Sequence, residues 1–484
     1  MNKTTSSGDD MEKMRLDFDE KEHKYIQVYK NIKKLILEKQ LKKHEKLPPI
    51  RKYAQQIGVN NSTIVKAYEL LESEGYVYKI LGSGTYVSEL NRFDENTVLE
   101  HREKVIGFHQ GNPSSDIFPV EDFKKAIDMA LKKEGASIFN YSEGLGYNNL
   151  RKKLCDYMKG IGIESHPDRI QIISGAQQGI DTICKSMVNY GDIVFVEEPT
   201  YNGALEAFRN KGSKIIGIPM LHDGIDIGIL KLKLEKIRPK LIYVMPNFQN
   251  PTGISYSSKK KLQLLELARE YDFYIIEDDF ISDFKFESED NTTLRSHDKY
   301  DKVIYIKSFS KILMPGLRIG FMEVPLEILN RVIWAKYSSD ISTSSLVQRA
   351  LYYYMKYFKW DANLQTIENA YTERFAAAKE AIDGMLGDRL DYVMPKGGIN
   401  FFLGLPKGYS AADFRDYMLE HGVLIMPGSY FYDNPMDDRF FRINIASTGI
   451  EEIKEGIGTI AERLDDFLEK YKNHIHFRNN EIFF

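Results

Sequence analysis

Seven short runs rich in β-branched and aromatic residues recur between residues 170 and 324, and helix-length segments separate most of them. They are Ile170 to Ile173, Ile193 to Val196, Ile215 to Ile218, Leu241 to Met245, Phe273 to Ile276, Val303 to Ile306 and Ile319 to Val324. Most are near-continuously apolar, the mark of a strand covered on both faces. Strands that alternate with helices cross over in parallel, so few architectures are open besides a mainly parallel, seven-stranded sheet clothed in helices. From about Leu326 a long helical stretch leads to a smaller α+β unit over Asp391 to Lys472. Residues 106–484 are therefore expected to be α/β, with a large domain over about 106–330 and a small one over about 331–484.

The N-terminal part has another pattern. Residues 1–24 are rich in Ser, Asp, Glu and Lys and are expected to form a disordered tail. Ile26, Tyr29, Ile32, Leu35 and Ile36 share one stripe, which predicts a helix from about Ile26 to Gln40. Pro48 and Pro49 cannot continue it, and a second short helix starts near Ile50, carries Tyr53, Ala54 and Ile57, and stops at Gly58. Asn61 or Ser62 is placed to cap a third, whose apolar face holds Ile64, Ala67, Leu70 and Leu71. Tyr76 to Leu81 and Thr85 to Ser88 read as strands joined through Gly82-Ser83-Gly84. This order is that of a winged helix-turn-helix over 25–88. A polar linker over 89–105 comes next.

Charge separates the two parts. From Tyr25 to Val87 there are eleven Lys and Arg against five Asp and Glu, in a chain whose net charge is −4. A basic module on an acidic body points to an anionic partner for the small piece alone. No run approaches the roughly 18 apolar residues of a membrane span, and Met1 to Lys24 has no apolar core of a secretory signal. The two cysteines, Cys155 and Cys184, each stand alone on an apolar pattern and read as buried free thiols. No metal site is expected, and a reducing, cytoplasmic location is.

In a helix-turn-helix the second helix enters the major groove and its first residues meet base edges. Here these are Asn61, Ser62 and Thr63, preceded by Asn60, all short hydrogen-bonding side chains. Arg51 and Lys52 start the preceding helix, within reach of phosphates or a guanine edge. Gly82 and Gly84 would make a wing tip thin enough for the minor groove. Five stretches carry a resemblance to the GntR family of bacterial regulators: Tyr25 to Tyr29, Lys46 to Arg51, Ala67 to Leu71, Glu74 to Tyr76, and Gly82 to Val87. The resemblance implies a double-stranded DNA operator as partner. Family members often carry arginine on the recognition helix, where this chain has Asn61 and Val65.

Ligands of open α/β sheets bind beyond the carboxyl ends of the strands, so the residues just after each run are informative. Ser174-Gly175-Ala176-Gln177-Gln178-Gly179 opens a helix with small residues and suits a phosphate on backbone N–H groups. Tyr201 supplies a ring, Asn250 stands in Asn250-Pro251-Thr252-Gly253, and Asp278 comes after a strand within Glu277-Asp278-Asp279. Ser308-Phe309-Ser310-Lys311 and Arg318 come after the next. A phosphate cradle, a stacking ring, a strand-end carboxylate and a serine-flanked lysine suit pyridoxal phosphate. Its aldehyde needs a lysine, its pyridine nitrogen a buried anion, and its phosphate hydroxyls with a cation.

Residues 106–472 resemble the class I/II aminotransferases of pyridoxal-phosphate fold type I. The resemblance implies that Lys311 is the Schiff-base lysine, Asp278 the partner of the pyridine nitrogen, Asn250 the donor to the ring's phenolic oxygen and Tyr201 the stacking ring. It implies that Ala176, Gln177, Ser308, Ser310 and Arg318 hold the phosphate. Tyr141 matches a tyrosine that reaches the neighbouring subunit's phosphate, implying a homodimer with shared sites. Arg442 matches the arginine that grips a substrate carboxylate. Relatives usually carry a tyrosine two or three residues after the aspartate, where this chain has Phe280 and Ile281.

A GntR-type winged helix joined to an aminotransferase-like body is similar to the MocR subfamily of regulators. The expected function is a pyridoxal-phosphate-dependent transcriptional regulator that senses an amino compound, or the cofactor itself, through an aldimine at Lys311. The alternative expectation is a working aminotransferase that carries a winged helix, and Asn250 favours it, since MocR regulators often have a bulky apolar residue there.

Overall fold

A computed structural model describes residues 14, 16, 18, 23–37, 40–41, 45–73, 76–80, 84–87, 105–141, 144–284, 286, 291–433 and 437–472. The chain divides into two compact units, Met1–Glu103 and Lys104–Phe484. Gly82 and Ser83 of the expected wing tip, and the expected linker as far as residue 104, lie outside the described residues.

The first unit has helices α1 (Lys24–Leu37), α2 (Ile50–Gln56) and α3 (Asn61–Ser73), then strands β1 (Val77–Ile80) and β2 (Gly84–Val87). The strands pair antiparallel with Val77 opposite Val87. Helical periodicity puts Val28 and Ile32 of α1, Tyr53 and Ala54 of α2, and Ile64, Ala67 and Leu71 of α3 in one core. Asn61 is already helical, so the capping position falls one residue earlier than expected, at Asn60. The Leu47 amide donates to the Thr85 carbonyl at 2.8 Å, which adds a third strand-like segment to the wing. The tail is not wholly without something to bury. Met14 is fully buried, its carbonyl accepts from the Tyr53 hydroxyl at 3.0 Å, and Leu16 and Phe18 pack beside it.

The second unit opens with β3 (Ile106–Gly107), which pairs with a strand near the C-terminal end, β14 (Val423–Leu424). Its main sheet contains β4 (Ile170–Ile173), β5 (Ile193–Glu198), β6 (Lys214–Leu221), β7 (Gly224–Ile225), β8 (Leu241–Val244), β9 (Tyr274–Asp279), β10 (Val303–Ser308) and β11 (Gly320–Glu323). The order is β4-β11-β10-β9-β8-β5-β6-β7. All seven expected strands are there. β11 runs antiparallel to both neighbours, and the eighth strand, β7, turns back on β6. Two residues carry no periodic signal, which is why β7 is not legible in the sequence.

The side-chain period of two explains the apolar runs. Val194, Val196, Leu241, Tyr243 and Ile276 join one core layer, while Phe195, Ile242, Val244 and Ile275 join the layer on the opposite face. Both faces are covered, so every position must be apolar or bonded. A second sheet, in order β12-β13-β16-β15, is antiparallel and comprises β12 (Asp391–Tyr392), β13 (Asn400–Gly404), β15 (Met426–Pro427) and β16 (Phe440–Asn444). The division expected at 331 falls inside the helix Leu326–Asp340, which packs on the helix Ala176–Met187 of the large sheet. Helical packing carries the large layer past that point, and the small sheet starts only at Asp391. Cys184 is buried as expected but Cys155 only partly; both are free. Among the described residues no helix is long and apolar enough to cross a membrane.

Ile64 is fully buried on the inner face of α3, whereas Asn61 is exposed on the same helix. Ile64→Ala is expected to destabilise the winged-helix unit by about 2–4 kcal/mol. Asn61→Ala should stay within about 0.5 kcal/mol. Hydrogen exchange of the α1–α3 amides in the full chain checks both.

Candidate functional site

The site is built at the carboxyl ends of the strands, where loops leave the sheet. After β4, Gly175 adopts φ +93 and a Cβ there would stand 2.7 Å from Nη2 of Arg318. Only glycine allows both the backbone conformation and that approach. Arg318 itself takes a left-handed conformation after the turn Pro315–Leu317, and its Nη2 donates to the Ser174 carbonyl at 3.1 Å. The first turn of the helix Ala176–Met187 contributes N–H groups without helical partners, since it has no side-chain cap. Ser308, buried at the end of β10, accepts from the Ser310 amide at 3.2 Å. The side chain of Gln177 is turned elsewhere: its Nε2 donates to the Gly203 carbonyl at 2.8 Å, leaving the backbone N–H as its offering to the cradle.

Lys311 is mostly buried and its Nζ donates to the Gly111 carbonyl. Burial, then the positive charges of Arg442 and Arg318, pull its ammonium down to about 8. An amine so depressed is a competent nucleophile toward a carbonyl close to neutral pH.

Asp278 is buried on β9. Its Oδ2 accepts from the Tyr243 hydroxyl at 2.6 Å, while Oδ1 has no hydrogen-bond partner among the described residues. Burial pushes this carboxyl up to about 6, opposed by the Tyr243 bond and by Lys307. The phenol of Tyr201 feels Asp278, Arg318 and Arg442 together, so these four residues and Lys311 share one end of the sheet. Gly203 makes room for that ring: a Cβ there would lie 2.5 Å from Tyr201 Cε1.

Arg442, on β16, reaches the same place from the small sheet. Its Nη1 donates to Asn250 Oδ1 at 2.9 Å and its Nη2 to the His109 carbonyl. Its guanidinium lies 5.1 Å from the Phe431 ring centroid. Thus the structure joins the two residues expected to serve ligand and ring. The loop that carries Asn250 is fastened by Gln249, whose Nε2 donates to Glu197 at 3.0 Å and whose Oε1 accepts from the Thr252 amide at 2.9 Å.

Phe280 is part-buried in the apolar core, so no phenol stands there. Asp279 faces away into a buried network with Tyr305 at 2.6 Å and Lys307 at 3.2 Å. Tyr141 is 81% exposed in the single chain, and the two residues after it lie outside the described set. Tyr243, Gly111, Gln249 and Lys307 carry no signal of their own in the sequence. Tyr243 reads there as one more apolar residue of a strand, and only strand order puts it beside Asp278.

The DNA-binding candidates lie in the first unit. Arg51, Lys52, Asn61 and Ser62 are exposed and Thr63 is part-buried. Gly84 is exposed at φ +138, and a Cβ there would lie 2.8 Å from Lys46 Cε. Lys46 Nζ sits 5.7 Å from the Tyr86 ring centroid, and Lys66 Nζ 5.8 Å from that of Tyr25.

Residues 103–460 match the family aminotransferase class I and II, and residues 24–87 match the bacterial regulatory proteins of the gntR family. Aromatic-amino-acid aminotransferase 1 of Thermococcus litoralis is 31% identical over 77% of this chain and 91% of its own. The uncharacterized HTH-type transcriptional regulator YisV of Bacillus subtilis is 26% identical over 91% of this chain and 95% of its own. Among solved structures, Pyrococcus horikoshii kynurenine aminotransferase in complex with PMP superposes with a TM-score of 0.74 at 30% identity, covering 78% of this chain and 96% of that one. LysN, an α-aminoadipate aminotransferase of Thermus thermophilus complexed with N-(5'-phosphopyridoxyl)-L-leucine, gives 0.72 at 29% identity over 78% and 96%. The chain therefore belongs to the pyridoxal-5'-phosphate-dependent class I and II aminotransferase family and, with its gntR-family unit, to the MocR group of fused regulators.

Proposed function

We propose that this chain is a pyridoxal-phosphate-dependent, DNA-binding transcriptional regulator of the cytosol whose operator affinity answers to an amino compound, or to the cofactor itself, bound at Lys311. One observation carries the reading: a depressed lysine amine shares its site with a buried carboxylate oxygen that lacks a partner among the described residues. A buried unpaired acceptor is costly, and a protonated pyridine nitrogen is the group that satisfies it. When bound, the cofactor supplies an electrophilic carbon for amines and an electron sink.

The residues then take these roles. Lys311 would anchor the cofactor, and Asp278 Oδ1 would accept the proton carried by the ring nitrogen. Tyr201 stacks on the ring. Ser308, Ser310, Arg318 and the first-turn amides of Ala176 and Gln177 would grip the phosphate, combining side-chain hydroxyls and a guanidinium with the backbone N–H groups of a helix N-terminus. With its oxygen held by Arg442, Asn250 would have its amide N–H to offer the phenolic oxygen. Arg442 takes the ligand's carboxylate, which must compete with the bonds that it makes to Asn250 and His109, so carboxylate binding is felt at the ring through Asn250. Tyr141, with the exposed Phe139 and Trp334, meets a second copy of the chain, and Tyr141 completes the partner's phosphate site.

On the DNA side, α3 enters the major groove with Asn61, Ser62 and Thr63 at base edges, Arg51 and Lys52 hold backbone or guanine, and Gly84 brings the wing to the minor groove. Ligand control requires only that the ligand-bound and ligand-free states differ in operator affinity. A working aminotransferase is the second reading, favoured by the intact Asn250–Arg442 pair. Sustained turnover of an amino acid with a 2-oxo acid would establish it.

Lys311→Ala is expected to bind DNA selected by the wild-type protein and to lose the ligand-dependent change in affinity, in a fluorescence anisotropy titration. A response equal to that of wild type would remove Lys311 from sensing. Uptake of pyridoxal phosphate by cofactor-stripped protein should accelerate with pH and level off above about 8, because the neutral amine attacks and its ammonium is depressed to that value. Stopped-flow absorbance checks this, and an ordinary lysine would keep the rate climbing to about pH 10. Gly175→Ala should weaken cofactor affinity by roughly tenfold or more, since its Cβ strikes Arg318 at a positive φ.

A further inference from the structure

We propose that Tyr243 is a positioning residue that fixes which oxygen of Asp278 faces the cofactor's ring nitrogen. The inference rests on the cofactor reading of the site. β8 and β9 are parallel, with Tyr243 opposite Ile276, so Asp278, two residues further on, projects from the same face of the sheet. A tyrosine is long enough to span that diagonal. Tyr243 is fully buried among apolar side chains, where a phenylalanine would pack as well and leave no hydroxyl to satisfy. Its hydroxyl is spent on one acceptor, Asp278 Oδ2 at 2.6 Å. With that oxygen occupied, the carboxylate cannot rotate without breaking a buried bond, and Oδ1 is the atom left unpartnered among the described residues.

The same bond has a charge consequence. Asp278 feels the charges of Asp279 on its own strand and Lys307 on β10, both turned to the opposite face of the sheet, while Tyr201 in the loop after β5 and Glu197 on β5 are the other titratable groups that interact with it. Burial and Asp279 raise the Asp278 carboxyl to about 6, and the Tyr243 bond is the largest influence holding it down. A hydrogen bond to the ionised form favours that form, so losing the hydroxyl moves protonation to higher pH. Below that pH the site offers a neutral acid to a protonated ring, and the cofactor binds less well. Above it the anion returns.

The test is a titration of cofactor-stripped, full-length protein with pyridoxal phosphate across about pH 5.5 to 9, for wild type, Tyr243→Phe, Asp278→Asn and the double variant. Wild-type affinity should fall below about pH 6. In Tyr243→Phe that acid limb should move up by about one pH unit, making binding about fivefold weaker at the wild-type midpoint and nearly equal at about pH 8.5. In the Asp278→Asn background the second change should add nothing. Coincident profiles for wild type and Tyr243→Phe would overturn the inference. So would a loss that is the same at every pH and persists in the Asp278→Asn background; thermal midpoints of the stripped proteins separate misfolding from both. A wild type that takes up no cofactor at any pH would instead overturn the cofactor reading, and this inference with it.

Discussion

A carboxylate buried with one oxygen tied down and the other left open is the constraint around which this body is arranged. Asp278 stands at the end of β9, a strand buried on both faces between β8 and β10. Water cannot reach it freely, so its charge must be met from within the protein or by a ligand. The neighbouring strands supply part of the answer, a hydroxyl from β8 and an ammonium from β10. They leave one oxygen without a partner among the described residues, at the end of the sheet that also holds the depressed amine of Lys311 and the guanidinium of Arg318. The central strands have to be apolar so that a few polar ends can be placed with this precision.

The cradle and the lysine depend on the same sheet through different devices. Gly175 and Gly320 let backbones and Arg318 approach to distances no Cβ would tolerate. The antiparallel strand β11 brings Arg318, just before it, back beside the turn after β4. Arg442 arrives from a separate sheet, so a ligand that bonds to both Lys311 and Arg442 bridges elements of the large and small layers. On the proposed reading, that bridging is how an aminotransferase geometry would serve as a switch, since only a ligand whose contacts differ between two states shifts a population.

Much of this is legible in the sequence because the chemistry is carried by strand ends, and strand ends are easy to find when the strands are continuous apolar runs. Lys311, Asp278, Asn250 and Arg318 each come after such a run, and the structure brings them to one site with Tyr201 and Arg442. Tyr243 is invisible for the opposite reason: it lies inside a run, where a hydroxyl looks like an aromatic core residue until the neighbouring strand is known. The two-residue strand β7 is too short for any period, and nothing in the helix Leu326–Asp340 signals that it packs on the large layer. Met14, Leu16 and Phe18 are lost in a charged tail, since three apolar residues interleaved with charges are too few to stand out. The unpaired oxygen of Asp278 cannot be read at all, because hydrogen-bond satisfaction belongs to three dimensions.

The most direct measurement is a chemical map of the lysine. Wild-type protein supplied with pyridoxal phosphate is reduced with borohydride, digested, and the peptides are weighed by mass spectrometry. The pyridoxyl increment is expected on the peptide that contains Lys311 and on no other at stoichiometric cofactor. An increment spread over surface lysines, with Lys311 unmodified, would contradict the assignment.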